Sequence, residues 1–267
     1  MISREEKTII ASSWESLKIH TKARIAIGRC GSSIPTKESL AFKLAHARAI
    51  DAVHVPLQKE SVKNTLEEIC DNQVLLIQSG ATDRAVYLQR PDLGRTLSEN
   101  SIRLIKETQK ESAYDIAMVV ADGLSSVAIE SNIYSLFSLL LPELKRRNYS
   151  LAPICVVEQG RVAIADSVAE LFNARMSIVF IGERPGLTSP DSMGIYITYA
   201  PVNGTTDERR NCISNVRRDG LSYAAANSKL LYLVDESFRR KLSGVNLKDE
   251  QDDMQLPESD TSLVLTE

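Results

Sequence analysis

Four apolar runs, each closed by a glycine-containing polar turn, constrain this chain more than any other feature. They are "QVLLIQSG" at 73–80, "YDIAMVVADG" at 114–123, "APICVVEQG" at 152–160 and "RMSIVFIG" at 175–182. Runs this short and this uniformly apolar read as strands buried on both faces. Amphipathic helical patterns separate the later ones. One follows Ser125 or Ser126 as cap and carries Leu136, Leu140 and Leu144, and another is "VAIADSVAELF". Strands alternating with helices require crossover connections. The expected fold is therefore α/β: a Rossmann-like, mostly parallel sheet flanked by helices, with an N-terminal helical segment.

The rest of the chain fits around that unit. Thr36 to about His54 reads as a helix with Thr36 as N-cap and Leu40, Leu44, Ala47 and Ile50 on one face, and Ser61–Cys70 reads as a second. "GIYITYAP" is a further strand, and "DGLSYAAANSKLLYLVDESFRRKL" a terminal helix. The expected organisation is a partly ordered arm at 1–23, a helical segment at 24–71, the Rossmann-like domain at 72–249 and an acidic, disordered tail at 250–267. The tail holds six acids and no base.

Composition removes several classes of function. A formal net charge of -3 and a pI of about 5.8 give no basic field for nucleic acid. No run approaches the ~20 apolar residues of a membrane span, and "MISREEKTII" lacks a signal-peptide core. Cys30, Cys70, Cys155 and Cys212 form no CxxC pair, and His20, His46 and His54 are scattered. The chain reads as cytosolic, metal-free and without disulfides.

Ligands of such sheets sit beyond the carboxyl ends of the strands. The turns at Gly80, Asp122-Gly123 and Gly182-Glu183 lie there. The sequence has no GxGxxG, no GxxxxGK[ST] and no GxSxG. "DGLSS" has no neighbouring histidine to serve as a base. The unusual stretches are "QGRVAIAD", "GERPGLTSPDS" and "RNCISNVR", the last read as a loop carrying Asn211, Cys212, Ser214 and Asn215. Together they suit a large ligand rich in amide and hydroxyl groups.

These stretches resemble the small-subunit (light-chain) family of ethanolamine ammonia-lyase. "TKARIAIGRCGSSIPTKESLAFKLAHARAIDAVH", "YLQRPDLGRTL", "VVADGLSSVAIE", "GRVAIADSVAELF", "IGERPGLTSPDSMGIYITYAP" and "RNCISNVRRDGLSYAAA" follow in the family's order. The resemblance implies an adenosylcobalamin-dependent lyase that converts ethanolamine to acetaldehyde and ammonia by a radical route. A large subunit, a TIM barrel, holds the substrate, and the small subunit encloses the cobalamin from the other side. It implies six copies of each subunit, and a cytosolic or bacterial-microcompartment location. The arm "EEKTIIASSWESLKI" is only weakly amphipathic as a compartment address.

Carried over by motif, the implied cofactor contacts are Val162 in "GRVAIAD", Glu183 in "GERPG" and Cys212 in "RNCISN". The chain lacks DxHxxG, so His46 and His54 are not expected to ligate cobalt, and the family binds cobalamin with its own base attached. Read without the family, Val162 is core packing, Glu183 a solvated charge or a partner of Arg184, and Cys212 a small hydrophobe. Two further functions compete: a stand-alone Rossmann-type nucleotide-binding enzyme, and a purely structural partner of the large subunit.

Overall fold

A computed structural model describes residues 9–109 and 113–250. All four apolar runs are strands: β1 (Val74–Gln78), β2 (Tyr114–Ala121), β3 (Ile154–Glu158) and β4 (Ala174–Gly182). β5 (Met193–Tyr199) and β6 (Arg210–Val216) complete one six-stranded sheet in the order β1-β3-β2-β4-β5-β6. The first four strands are mutually parallel, β5 runs antiparallel to β4, and β6 runs antiparallel to β5. "RNCISNV" is thus a strand, not the expected loop.

Seven helices accompany the sheet. They are α1 (Thr36–His54), α2 (Lys59–Ile69), α3 (Arg84–Gln89), α4 (Glu99–Thr108), α5 (Ser126–Arg146), α6 (Ile164–Leu171) and α7 (Tyr223–Arg240). Side-chain caps set several starts. Asp83 accepts from Val86 N, Ser98 from Ser101 N, Ser125 from Ala128 N and Ser222 from Ala225 N. Thr36 is not a cap: it is the first helical residue, and Pro35 occupies the cap position with no side-chain bond. The acidic segment lies outside the described residues except Glu250, whose carboxylate is 3.6 Å from Arg240 Nη2.

Two apolar layers sandwich the sheet. Leu136, Phe137 and Leu140 of α5, Leu230 and Val234 of α7 and Leu66 of α2 pack against Met118, Val120, Ile178, Phe180, Ile195 and Ile213 on one face. Ile105 of α4 and Ala165, Val168 and Ala169 of α6 pack against Val119, Val157, Val179 and Ile181 on the other. This second layer stops short of β5 and β6. Ile195, Ile197 and Ile213 are buried beneath the first layer, whereas Cys212 and Ser214, pointing the other way, are exposed and Tyr196 is half-buried. The sheet therefore leaves an open shelf beside the start of α6.

Candidate functional site

The carboxyl ends of β2, β3 and β4 meet at the edge of that shelf. Gly182 makes the junction possible. A Cβ there would lie 2.0 Å from Ser125 O and 2.5 Å from Asp122 O, so no other residue fits without displacing backbone. Gly182 O accepts from Leu124 N at 2.9 Å, which stitches the end of β4 to the turn before α5.

Glu183 follows directly. Its N–H donates to Ser192 O at 2.9 Å. Its carboxylate accepts from Ser192 Oγ at 2.5 Å and Asn215 N at 3.2 Å through Oε2, and from Ser214 Oγ at 2.5 Å through Oε1. A carboxylate offers about four acceptor positions, so one remains, on Oε1. The intervening loop is pinned as well: Ser125 Oγ donates to Pro190 O at 2.7 Å and Asn132 Nδ2 to Asp191 O at 2.8 Å. The charged turn is therefore a rigid mount. Arg184 is exposed at the rim of the site and makes no ion pair with any described residue.

A concavity of about 310 Å³ opens here, lined by Tyr87, Gly123, Leu124, Arg161, Val162, Ile181, Gly182, Glu183, Arg184 and Tyr196. A second, of about 670 Å³, shares Arg161, Val162 and Tyr196 and continues along residues 203–208. Both fall in the range of small-molecule sites, roughly 300–1,000 Å³. A hollow of about 440 Å³ lined by Ile69, Cys70, Leu141 and Tyr149 lies instead at the amino ends of the strands, where open α/β sheets do not take ligands.

Val162 and Glu183 thus line one concavity. Cys212 is outside the lining but is the cross-strand partner of Tyr196, which does line it. Crowding around the Cys212 sulfur pushes its thiol up, the Tyr196 hydroxyl opposes that, and the Glu183 charge reinforces it. Three residues distant in sequence are therefore brought to one surface.

Beneath this surface lies a polar cluster of which the sequence pointed only to Asp122, through its turn. Asp122 is buried; its carboxylate takes Gly160 N at 3.1 Å and Arg84 Nη1 at 3.3 Å. Burial pushes Asp122 up to about 6, against the pull of Arg84 and the Gln159 and Gly160 amides. Tyr87 is wholly buried, and desolvation followed by the Asp122 charge holds its hydroxyl above the usual tyrosine range. At the far edge, Arg210 of β6 forms a bidentate pair with Asp166 of α6 at 2.8 and 2.6 Å, with both side chains almost wholly buried. That pair locks the open strands to the helix beside the site.

Among the described residues no cluster of three or more His, Cys, Asp or Glu could hold a metal ion, and no helix is long and apolar enough to cross a membrane. Residues 11–248 match the protein family described as ethanolamine ammonia-lyase light chain (EutC). Similar curated proteins are each named ethanolamine ammonia-lyase small subunit. That of Azotobacter vinelandii is 52% identical over 89% of this chain and 88% of its own length. That of Pseudomonas paraeruginosa is 52% identical over 89% and 87%, and that of Ralstonia nicotianae 50% over 91% and 90%. This chain belongs to the ethanolamine ammonia-lyase light-chain family.

Proposed function

We propose that this chain is the small subunit of an adenosylcobalamin-dependent ethanolamine ammonia-lyase, which deaminates ethanolamine to acetaldehyde and ammonia only when the large subunit is present. The observation that carries the reading is the open shelf itself. In a family named for this lyase, Val162, Glu183 and the Tyr196–Cys212 pair converge on a broad concave surface that no helix of the described residues covers.

The residues fit a cobalamin. Half-buried Val162 and the Tyr196 ring offer apolar contact to a flat macrocycle. Glu183 keeps one acceptor position for an amide or hydroxyl of its periphery, and Cys212 is small enough to let it approach. Arg161 lines the same surface, and its buried Nε has no partner. Bound cobalamin supplies the radical that starts hydrogen abstraction from ethanolamine. This chain orients the macrocycle, fixes Glu183 through Ser192 and Ser214, and excludes water from one side. None of His20, His46 and His54 lines either concavity, so this chain would offer the cobalt no imidazole.

The large subunit is the partner, in an assembly of six copies of each, with no nucleic acid or membrane involved. Most of the exposed large apolar side chains among the described residues lie between Ile9 and Val55. They include Trp14, Ile19, Ile34, Leu40, Phe42 and Leu44. α1 buries only Ala52, so its remaining apolar residues suit a subunit contact. The complex works in the cytosol or in a microcompartment lumen. Mixing this chain with a large subunit of the family tests the reading. Deaminase activity that neither chain shows alone supports it; activity of the large subunit alone at full rate contradicts it.

A further inference from the structure

We propose that Arg161 is an anion-binding residue, its guanidinium set by Tyr87 and Gly94 to take the phosphate of the bound corrinoid. The inference rests on the cobalamin reading above and names which of the ligand's groups meets which residue.

Arg161 stands at the carboxyl end of β3, and its N–H donates to Gly94 O at 2.8 Å. A Cβ on Gly94 would lie 2.8 Å from both Arg161 Cγ and Tyr87 Cε2, so the three pack only because Gly94 has no side chain. Tyr87 is wholly buried, and its hydroxyl donates to Gly160 O at 3.0 Å. Arg161 Cζ lies 4.3 Å from the centre of that ring. A guanidinium stacked on an immobile aromatic ring loses little further freedom when it binds.

Two arginines sit over this ring, and only one is occupied. Arg84, 4.9 Å away, donates to Val53 O, Gly123 O, Gln159 Oε1 and Asp122, leaving only Nη2 without a partner. Arg161 makes no side-chain hydrogen bond or ion pair with any described residue, and its Nε is buried without a partner. Yet it lines both concavities.

The acids around it are engaged elsewhere. Glu183 holds Ser192, Ser214 and Asn215 N; Asp207 lies 3.3 Å from Arg210, and Glu208 takes the Thr206 hydroxyl. A planar, unpaired guanidinium on a concave wall selects a phosphate or carboxylate. In a cobalamin that group is the phosphodiester of the nucleotide loop.

The test uses the complex of this chain with its large subunit, wild type and Arg161→Met, titrated with adenosylcobinamide and adenosylcobinamide phosphate. These probes differ by the phosphate alone. The wild-type complex binds the phosphate-bearing probe about tenfold tighter or more. Arg161→Met removes that increment and leaves adenosylcobinamide binding unchanged. Arg161→Gln, which keeps a polar donor on a shorter side chain without charge, behaves likewise and covers the case in which the methionine variant fails to assemble.

An increment that survives in both variants overturns the proposal. So does an equal loss for both probes, the pattern expected if Arg161 meets an amide or an acid of the partner subunit. If the wild-type complex binds neither probe nor adenosylcobalamin, the cobalamin reading itself fails.

Discussion

Ser214 Oγ donates to Glu183 Oε1 across 2.5 Å, so a side chain on the open face of β6 fixes the first residue beyond β4. Shelf and strand end are thereby one rigid unit, and a ligand lying on the shelf meets Glu183 in a set orientation. Removing the carboxylate costs both the contact and the mount. Glu183→Ala weakens adenosylcobalamin affinity of the assembled enzyme about tenfold or more, while co-purification with the large subunit is unchanged. Wild-type affinity and activity in the variant remove Glu183 from the site. Ser214→Ala, which frees one oxygen but leaves the charge and the Ser192 bond, has the smaller effect of the two.

Arg210 and Asp166 hold the shelf's outer strands against α6, and both are sealed from water. Taking away one partner strands a charge in the interior. Arg210→Met lowers folding stability by about 3–5 kcal/mol, and the double change with Asp166→Leu recovers much of that. Urea midpoints of the two variants decide it. A single variant as stable as wild type shows that the pair is not insulated.

Asp122 gives a signed pH dependence. Its pKa in the folded chain is raised to about 6 from the ordinary 3.8. The folded state therefore holds the proton more tightly than the unfolded one. Its contribution to stability is full below about pH 3.8 and is lost as pH rises through about 6. Between pH 5 and 7, wild type loses on the order of 1 kcal/mol that Asp122→Asn does not lose. Parallel stability curves for the two proteins over that window contradict the assignment.

Cys212 is exposed on the open face, whereas Cys155 is buried and its thiol is held above the usual range by desolvation. A thiol reagent applied to the native chain labels Cys212 and leaves Cys155 untouched. In the assembled enzyme, adenosylcobalamin slows labelling of Cys212. An unchanged rate with the cofactor bound places the ligand off the shelf. Peptide mass mapping reads both results.

The buried half of this architecture is legible in the sequence because strands covered on both faces must be apolar throughout. β1 to β4 satisfy that over their buried cores, Ile116 to Ala121 being wholly apolar and buried, with Ser177 of β4 the exception. β6 escapes the same logic. Only one face of it is covered, and a register shift between Met193 and Ile195 on its partner breaks the alternation, so Ile213 and Val216 stand among polar neighbours. α3 is six residues long, too short for periodicity to mark it, whereas α4 does carry the signal, with Ile102 and Ile105 on one face behind the Ser98 cap.

At the site, the turn at Glu183 is legible because it directly follows the end of β4, whereas Val162 and Cys212 are pointed to only by the family motifs. Tyr87 and Gly94 stand in "YLQRPDLGRTL", but nothing local places that block beside Arg161. The stacking of Arg161 on Tyr87 arises only when the turn after β3 meets the α3 region.

The most direct test is equilibrium binding of adenosylcobalamin, followed by its visible spectrum, to the large subunit with and without this chain. If this chain forms one wall of the cofactor site, its addition tightens binding by tenfold or more, on the order of 1.4 kcal/mol, and the cofactor co-elutes with both subunits. An affinity equal in the presence and absence of this chain, with the two subunits assembled, contradicts the claim and leaves the chain a structural partner only.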